Sequence, residues 1–215
     1  MDNAKDKDIL GLKYEPKQVM GWHEYFLRQC LIKAERSPDK NTKYGCIFVR
    51  DNREIISGYN GFPSGADDSY LPKDRSNPMK YRMINHAEMS AILFAAKEGI
   101  SLKGSTLICL GHPCSDCCKN LVSIGVTKWI IGNRKHSKQD DPIERALCRH
   151  WMSEFGVNVS FYDLESFMWL GELQYYKFNM KIPLDTIQEK GMELNINDNN
   201  IKDGCGCQNT NKDPQ

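Results

Sequence analysis

The stretch TLICLGHPCSDCCKNLVSIGVTKWII, residues 106–131, decides how this chain is read. Thr106 to Leu110 is a short apolar, β-prone run ended by Gly111. Cys114 to Ile124 follows as a helix. Pro113 suits its first turn, where a missing N–H costs nothing, and Gly125 closes it. Lys128 to Ile131 is a second apolar run. A strand, a helix and a strand in that order predict parallel neighbours joined by a right-handed crossover. The same spacing sets Cys114 and Cys117 three residues apart on one helix face. They sit at the end where the macrodipole favours negative charge.

The alternation continues on both sides. Asp141-Pro142 opens a helix to Phe155, with proline in its first turn and Gly156 at its end, and Val157 to Tyr162 is the last strand. Upstream, a helix runs from His86 to Glu98 and is closed by Gly99. Tyr44 to Arg50 and Glu54 to Tyr59 flank the turn Asp51-Asn52-Arg53 and predict a hairpin. Trp22, Tyr25, Phe26 and Cys30 fall at three- and four-residue steps, which predicts an amphipathic helix over 20–36. Ser37-Pro38-Asp39-Lys40-Asn41 breaks it. Asn60 to Gly65 is a Gly/Pro loop, and a polar insertion then runs to about Asn85.

The expected architecture is α/β: a three-layer α/β/α sandwich around a mixed five-stranded sheet, with the folded domain over 20–162. Residues 1–19 read as a polar lead-in. Residues 163–190 read as an aromatic-rich helical extension, with the helix over 166–178. Residues 191–215 are rich in Asn and Asp with little apolar content and read as disordered.

Composition narrows the function. Lys plus Arg is 29 and Asp plus Glu is 28 in 215 residues, so no broad basic field recruits a nucleic-acid polymer. No apolar run approaches the roughly 20 residues of a membrane span, and the polar start Met1-Asp2-Asn3-Ala4-Lys5-Asp6 lacks a secretory apolar region. Nine irregularly spaced cysteines, an odd count, fit reduced thiols and a cytoplasmic setting better than a disulfide framework.

Cys114 and Cys117 gain a third partner in His86. One histidine and two cysteines supply three zinc ligands and leave the fourth tetrahedral position for water, the pattern of a catalytic site. Glu88 lies two residues after the histidine, where it can carry protons for that water and is not itself a ligand. H-x-E followed by P-C-x-x-C is the signature of zinc-dependent nucleobase deaminases. A structural zinc site would need a fourth protein ligand, and Cys118, Cys109 and His112 are the candidates. Cys118 points about 100° around the helix from Cys117, and it reads as a small buried hydrophobe. Cys109, Cys30, Cys46 and Cys148 also read as core, which leaves His112 as the rival. Cys205-Gly206-Cys207 reads as an incidental exposed pair.

From about Glu24 to Phe161 the chain resembles the deoxycytidylate (dCMP) deaminases of the cytidine-deaminase-like superfamily. The matching segments are Ala34-Glu35-Arg36-Ser37, Gly45-Cys46-Ile47-Phe48-Val49, Ile56-Ser57-Gly58-Tyr59-Asn60-Gly61-Phe62-Pro63-Ser64-Gly65, His86-Ala87-Glu88-Met89-Ser90-Ala91-Ile92 and Pro113-Cys114-Ser115-Asp116-Cys117-Cys118-Lys119. The zinc motif marks the superfamily, and the Gly58–Gly65 segment narrows it to dCMP deaminases. The resemblance implies that Asn60 bonds the deoxyribose and that the backbone around Ala87 and Cys114 reads the base edge. It also implies that the Arg36–Lys43 loop holds the 5′-phosphate, with Arg36, Ser37 and Asn41 as contacts. Relatives carry a stacking tyrosine after the fourth strand. Here Asn133-Arg134-Lys135-His136 stands there, with His136 as the stacking candidate and Arg134 or Lys135 as phosphate contacts. The resemblance further implies a homo-oligomer. It implies dCTP and dTTP as effectors, with Mg2+ accompanying them, at a loop that holds Gly61, Pro63 and Gly65. The other reading of that loop is plain structure, its glycines supplying positive φ.

The leading expectation is hydrolysis of dCMP to dUMP and ammonia by a zinc-activated water, with Glu88 as proton shuttle. A deaminase of dCTP, of free cytidine or of a base in RNA or single-stranded DNA is the alternative. The near-neutral charge favours a mononucleotide over a nucleic acid. A helix between the fourth and fifth strands argues against a free-cytidine enzyme. The non-enzyme alternative is a zinc-stabilised nucleotide-binding module, which has no use for a proton shuttle at Glu88.

Overall fold

A strand with no polar side must be covered on both faces. Strand β1 (Gly45–Arg50) is one: its first five residues are buried. The computed structural model of the chain describes residues 19–70, 72, 78–135 and 141–174. In it, Cys46 and Phe48 of β1 enter one apolar cluster, and Ile47 and Val49 the cluster on the opposite face. β3 (Thr106–Cys109) repeats the split, with Leu107 and Cys109 on one side and Ile108 on the other.

Six strands form one sheet in the order β2-β1-β3-β4-β5-β6. β1 pairs antiparallel with β2 (Arg53–Tyr59) and with β3. β3, β4 (Lys128–Gly132) and β5 (Asn158–Tyr162) are parallel. The hairpin turn is tighter than the sequence suggests. Asp51 and Asn52 both have positive φ, 51° and 55°, and Arg53 already begins β2. Two left-handed residues give the turn whose twist matches paired strands, and Asp and Asn tolerate that conformation.

Helix α1 (Trp22–Ala34) covers one face with Phe26, Leu27, Cys30 and Ala34. Its apolar stripe is rotated from the predicted one, because Trp22 and Tyr25 are exposed. Three helices cover the other face: α3 (Ala87–Lys97), α4 (Ser115–Ser123) and α5 (Pro142–Phe155). Successive right-handed crossovers in one direction put α4 and α5 side by side. Asp141 caps α5 by accepting from Ile143 N at 2.9 Å, and Gly156 ends it in the left-handed conformation. The three-layer arrangement with a mixed sheet is as expected, and no described helix is long and apolar enough to cross a membrane.

Two expectations need correcting. The sheet has six strands, not five, and the segment predicted as a helix over 166–178 supplies the sixth, β6 (Trp169–Gln174), antiparallel to β5. The cause is a turn. Asp163 Oδ1 accepts from Glu165 N, Ser166 N and Ser166 Oγ, Phe167 takes positive φ (57°), and Asp163 N donates to Met168 O. The chain therefore reverses and pairs back along β5, overriding its aromatic spacing. Residues 1–18 and 175–215, including the expected disordered tail with Cys205 and Cys207, lie outside the described residues.

Gly58 on β2 sets how near α3 can come. A Cβ there would lie 2.2 Å from the Ala87 carbonyl oxygen and 2.8 Å from Ala91 N. Both obstacles are backbone, so the helix must move. Gly58→Ala is expected to cost about 1–3 kcal/mol as overpacking, a loss of roughly 2–4 °C in Tm per kcal/mol for a chain of this size. It should also weaken metal retention, because His86 is the residue that caps the start of α3. Thermal unfolding and metal content measure both effects, and an unchanged melting curve would contradict this packing.

Candidate active site

His86 and Cys114 occupy equivalent places: each is the N-cap residue of its helix, His86 of α3 and Cys114 of α4. An N-cap side chain ordinarily accepts from the first turn. Neither of these does. They turn toward each other, with Cys114 Sγ 3.3 Å from His86 Nδ1, and Cys117 Sγ comes within 3.6 Å of the same nitrogen. The three ligand atoms lie within 4.8 Å of one another. A substitute cap serves α4: the Glu144 carboxylate of α5 accepts from Ser115 N at 2.7 Å and from Ser115 Oγ at 3.0 Å.

The electrostatics suit a soft cation. The hydrogen bond from Cys117 and the adjacent His86 ring pull the Cys114 thiol down to about 4. Two helix N-termini add positive potential. Two thiols and an imidazole, three donors with no fourth protein ligand grouped with them among the described residues, fit zinc with one position left for water. Glu88 is buried in the first turn of α3, and Cys117 Sγ donates to its Oε2 at 3.7 Å. Burial lifts its carboxyl above the ordinary carboxylate range, toward the neutral pH at which a proton carrier works best.

These groups open on a cavity of about 300 Å³. Its walls include Asp39, Thr42, Tyr44 and Asn60, then Tyr81, Ile84 and Asn85, and also His86, Ala87, Glu88, His112, Cys114 and Cys117. Asn60 is a wall residue whose amide also braces the loop beside it. Its Oδ1 accepts from Tyr44 N and its Nδ2 donates to Thr42 O, both at 2.7 Å.

The proposed phosphate contacts are placed less uniformly. Arg36, Ser37 and Asn41 are not among the cavity-lining residues. Ser37 is buried and accepts from Asp39 N, and Lys43 pairs with Glu35 at 2.7 Å. Arg134 donates to Lys43 O and lies over the Tyr44 ring, 5.8 Å from its centre. None of the described residues lining the cavity is Lys or Arg. His136 lies outside the described residues. In the effector-loop candidate, Pro63 and Gly65 are exposed, Gly65 has φ of 91°, and Gly61 exchanges two backbone hydrogen bonds with Asn85 of the cavity wall.

Sequence reasoning missed one organising pair. Lys80, in the short helix α2 (Pro78–Met83) within the polar insertion, is 1% exposed and bonds Asp39 Oδ1 at 2.7 Å. The same oxygen accepts from Asn41 N and Thr42 N. Nothing in a polar stretch distinguishes a lysine that turns inward from one that stays in solvent.

The family model for the cytidine and deoxycytidylate deaminase zinc-binding region matches residues 20–133, which holds all three metal-ligand candidates and Glu88. The chain belongs to this deaminase family. Among curated proteins, it is 34% identical to the human deoxycytidylate deaminase over 125 residues, covering 56% of this chain and 69% of that one. It is 32% identical over 146 residues to a probable deoxycytidylate deaminase of Drosophila melanogaster, covering 63% of this chain and 70% of the relative. Among solved structures, the dCMP deaminase of cyanophage S-TIM5 in complex with dCMP and dUMP superposes with a TM-score of 0.52 at 29% identity. That match covers 64% of this deaminase and 94% of the phage chain. Family membership agrees with zinc as the metal of the His86–Cys114–Cys117 site.

His112, the rival fourth ligand, falls in a second group with Cys118 and Cys148. Cys109, Cys30 and Cys46 are buried in the apolar clusters as expected.

Proposed function

We propose that this deaminase hydrolyses the 4-amino group of dCMP, giving dUMP and ammonia. The observation that carries the reading is a buried carboxylate, Glu88, set beside a His–Cys–Cys ligand cluster on the wall of one cavity. About 300 Å³ is near the lower end for small-molecule pockets, which suits one nucleotide. The likeness to a phage dCMP deaminase solved with dCMP and dUMP supports the same substrate.

His86, Cys114 and Cys117 would hold the zinc, which when bound would supply Lewis acidity that eases deprotonation of a water near neutral pH. Glu88 accepts the proton that the attacking water gives up and delivers it to the pyrimidine ring nitrogen. The same carboxylate then serves the departing amino group, which leaves as ammonia. Ala87 is the first residue of α3 and lines the cavity, so its N–H has no acceptor within the helix and can meet the base edge. Asn60 keeps one amide hydrogen and one lone pair for the sugar beyond its two loop bonds. The Gly61–Gly65 loop is the proposed contact for dCTP or dTTP effectors, with Mg2+ as their counter-ion. Support comes from its exposed tip and from the Gly61–Asn85 bridge to the cavity wall.

Specificity is tested by kcat/KM for dCMP, dCTP, deoxycytidine and a short single-stranded DNA, with and without added dCTP. A preference for dCMP of tenfold or more over each of the others is expected, which is about 1.4 kcal/mol of discrimination. Equal turnover of deoxycytidine would overturn recognition of the 5′-phosphate.

A further inference from the structure

Pro113 stands between two clusters. Of the residues around it, Cys114 and Cys117 turn to His86, whereas His112 and Cys118 turn to Cys148 on α5. The ligand atoms of His112, Cys118 and Cys148 lie within 4.8 Å of one another, as close as those of the first cluster. Cys118 is fully buried and Cys148 is 5% exposed.

Hydrogen bonding prepares this second group. His112 Nδ1 is 2.7 Å from the Pro113 carbonyl oxygen. A carbonyl only accepts, so Nδ1 carries the proton and Nε2 carries the lone pair. A metal-ligating histidine is commonly held this way, one ring N–H on a backbone carbonyl and the other nitrogen on the ion. Both thiols also aim at that oxygen, Cys118 Sγ at 3.4 Å and Cys148 Sγ at 3.7 Å. Three donors thus converge on one carbonyl with two lone pairs. Coordination resolves the conflict: the thiols give up their protons, and the oxygen keeps only the histidine bond.

We propose that His112, Cys118 and Cys148 form a second metal site, for a thiophilic ion such as Zn2+, separate from the His86–Cys114–Cys117 site. Two thiolates and an imidazole are a donor set that zinc accepts. Binding of the ion releases two protons from the two thiols to solvent. The ligands come from the loop before α4, from α4 and from α5, so the ion fastens these elements together. Because α4 also carries Cys117, this second ion braces the scaffold of the first.

The test counts metal. The full chain, carrying Cys205→Ser and Cys207→Ser so that the tail holds no ion, is loaded with Zn2+ under reducing conditions, desalted and measured by plasma mass spectrometry. Two zinc ions per chain are expected. His86→Ala should leave one, and Cys118→Ser with Cys148→Ser should leave the other. In the His86→Ala protein, Co2+ should give a thiolate charge-transfer band that is lost when Cys148→Ser is added. If the double serine variant does not fold, the His86→Ala protein decides alone, with one ion supporting the site and none overturning it. A single zinc in the parent protein overturns it. So does a Cys118–Cys148 disulfide in protein kept reduced, because both sulfurs are then spent. A failure of the dCMP reading leaves this count unchanged, so the two fail separately.

Discussion

Glu88→Gln gives a protein that folds, binds zinc and turns over dCMP about 10²–10⁴-fold more slowly than the parent. The substitution keeps size and shape and removes only the group that carries the proton. The site predicts this selectivity. Glu88 is buried beside Cys117 but is not one of the three clustered ligands, so its loss leaves the metal donors in place. Zinc content by mass spectrometry should therefore hold while kcat collapses. His86→Ala should do the opposite in order: zinc goes first, and activity with it. The contrast separates an enzyme from a nucleotide-binding module, in which Glu88 is only a favourable charge at a helix start. Parent-level turnover by Glu88→Gln would sink the proton-shuttle mechanism.

The second large effect is on stability. Lys80→Met removes one partner of a fully buried ion pair and leaves the Asp39 carboxylate in the interior with two backbone donors among the described residues. Breaking a buried pair from one side costs about 3–5 kcal/mol, a large part of the 5–15 kcal/mol that a domain has. A fall in Tm of roughly 6–20 °C follows at about 2–4 °C per kcal/mol. Replacing both partners, Lys80→Met with Asp39→Leu, should recover part of the loss, since no unpaired charge then remains. Recovery stays incomplete because Asn41 N and Thr42 N lose their acceptor. The pair joins α2 to the loop 39–42, and both line the cavity through Asp39, Thr42 and Tyr81, so the single variant should also raise KM. A melting temperature within a degree or two of the parent would show that the pair is not buried in solution.

How much of this was legible in the sequence depends on distance along the chain. The strands over 106–109 and 128–132, the helix between them and the ligand trio follow from local period and spacing, and they stand where the sequence puts them. The ends of α5 were legible because Asp141, Pro142 and Gly156 each satisfy a local backbone need. The strand β6 was not. Its outcome was set by Asp163 and Ser166 building a turn, and by the open edge of β5 waiting beside it. The resemblance put phosphate contacts at Arg36, Ser37 and Asn41, whereas the residues of that loop on the cavity wall are Asp39 and Thr42. Periodicity records which face of its own element a residue is on. It does not record that Lys80 meets Asp39 across 41 positions, or that Cys148 meets Cys118 and His112. Those meetings are properties of the packed layers.

Formation of dUMP is the most direct measurement. Purified zinc-loaded protein is mixed with dCMP, the ultraviolet change of cytosine to uracil is followed, and ammonia is assayed in the same sample. The site predicts equimolar dUMP and ammonia, rising linearly with protein and abolished by a zinc chelator. Zinc-loaded protein that binds dCMP and releases neither product would contradict it.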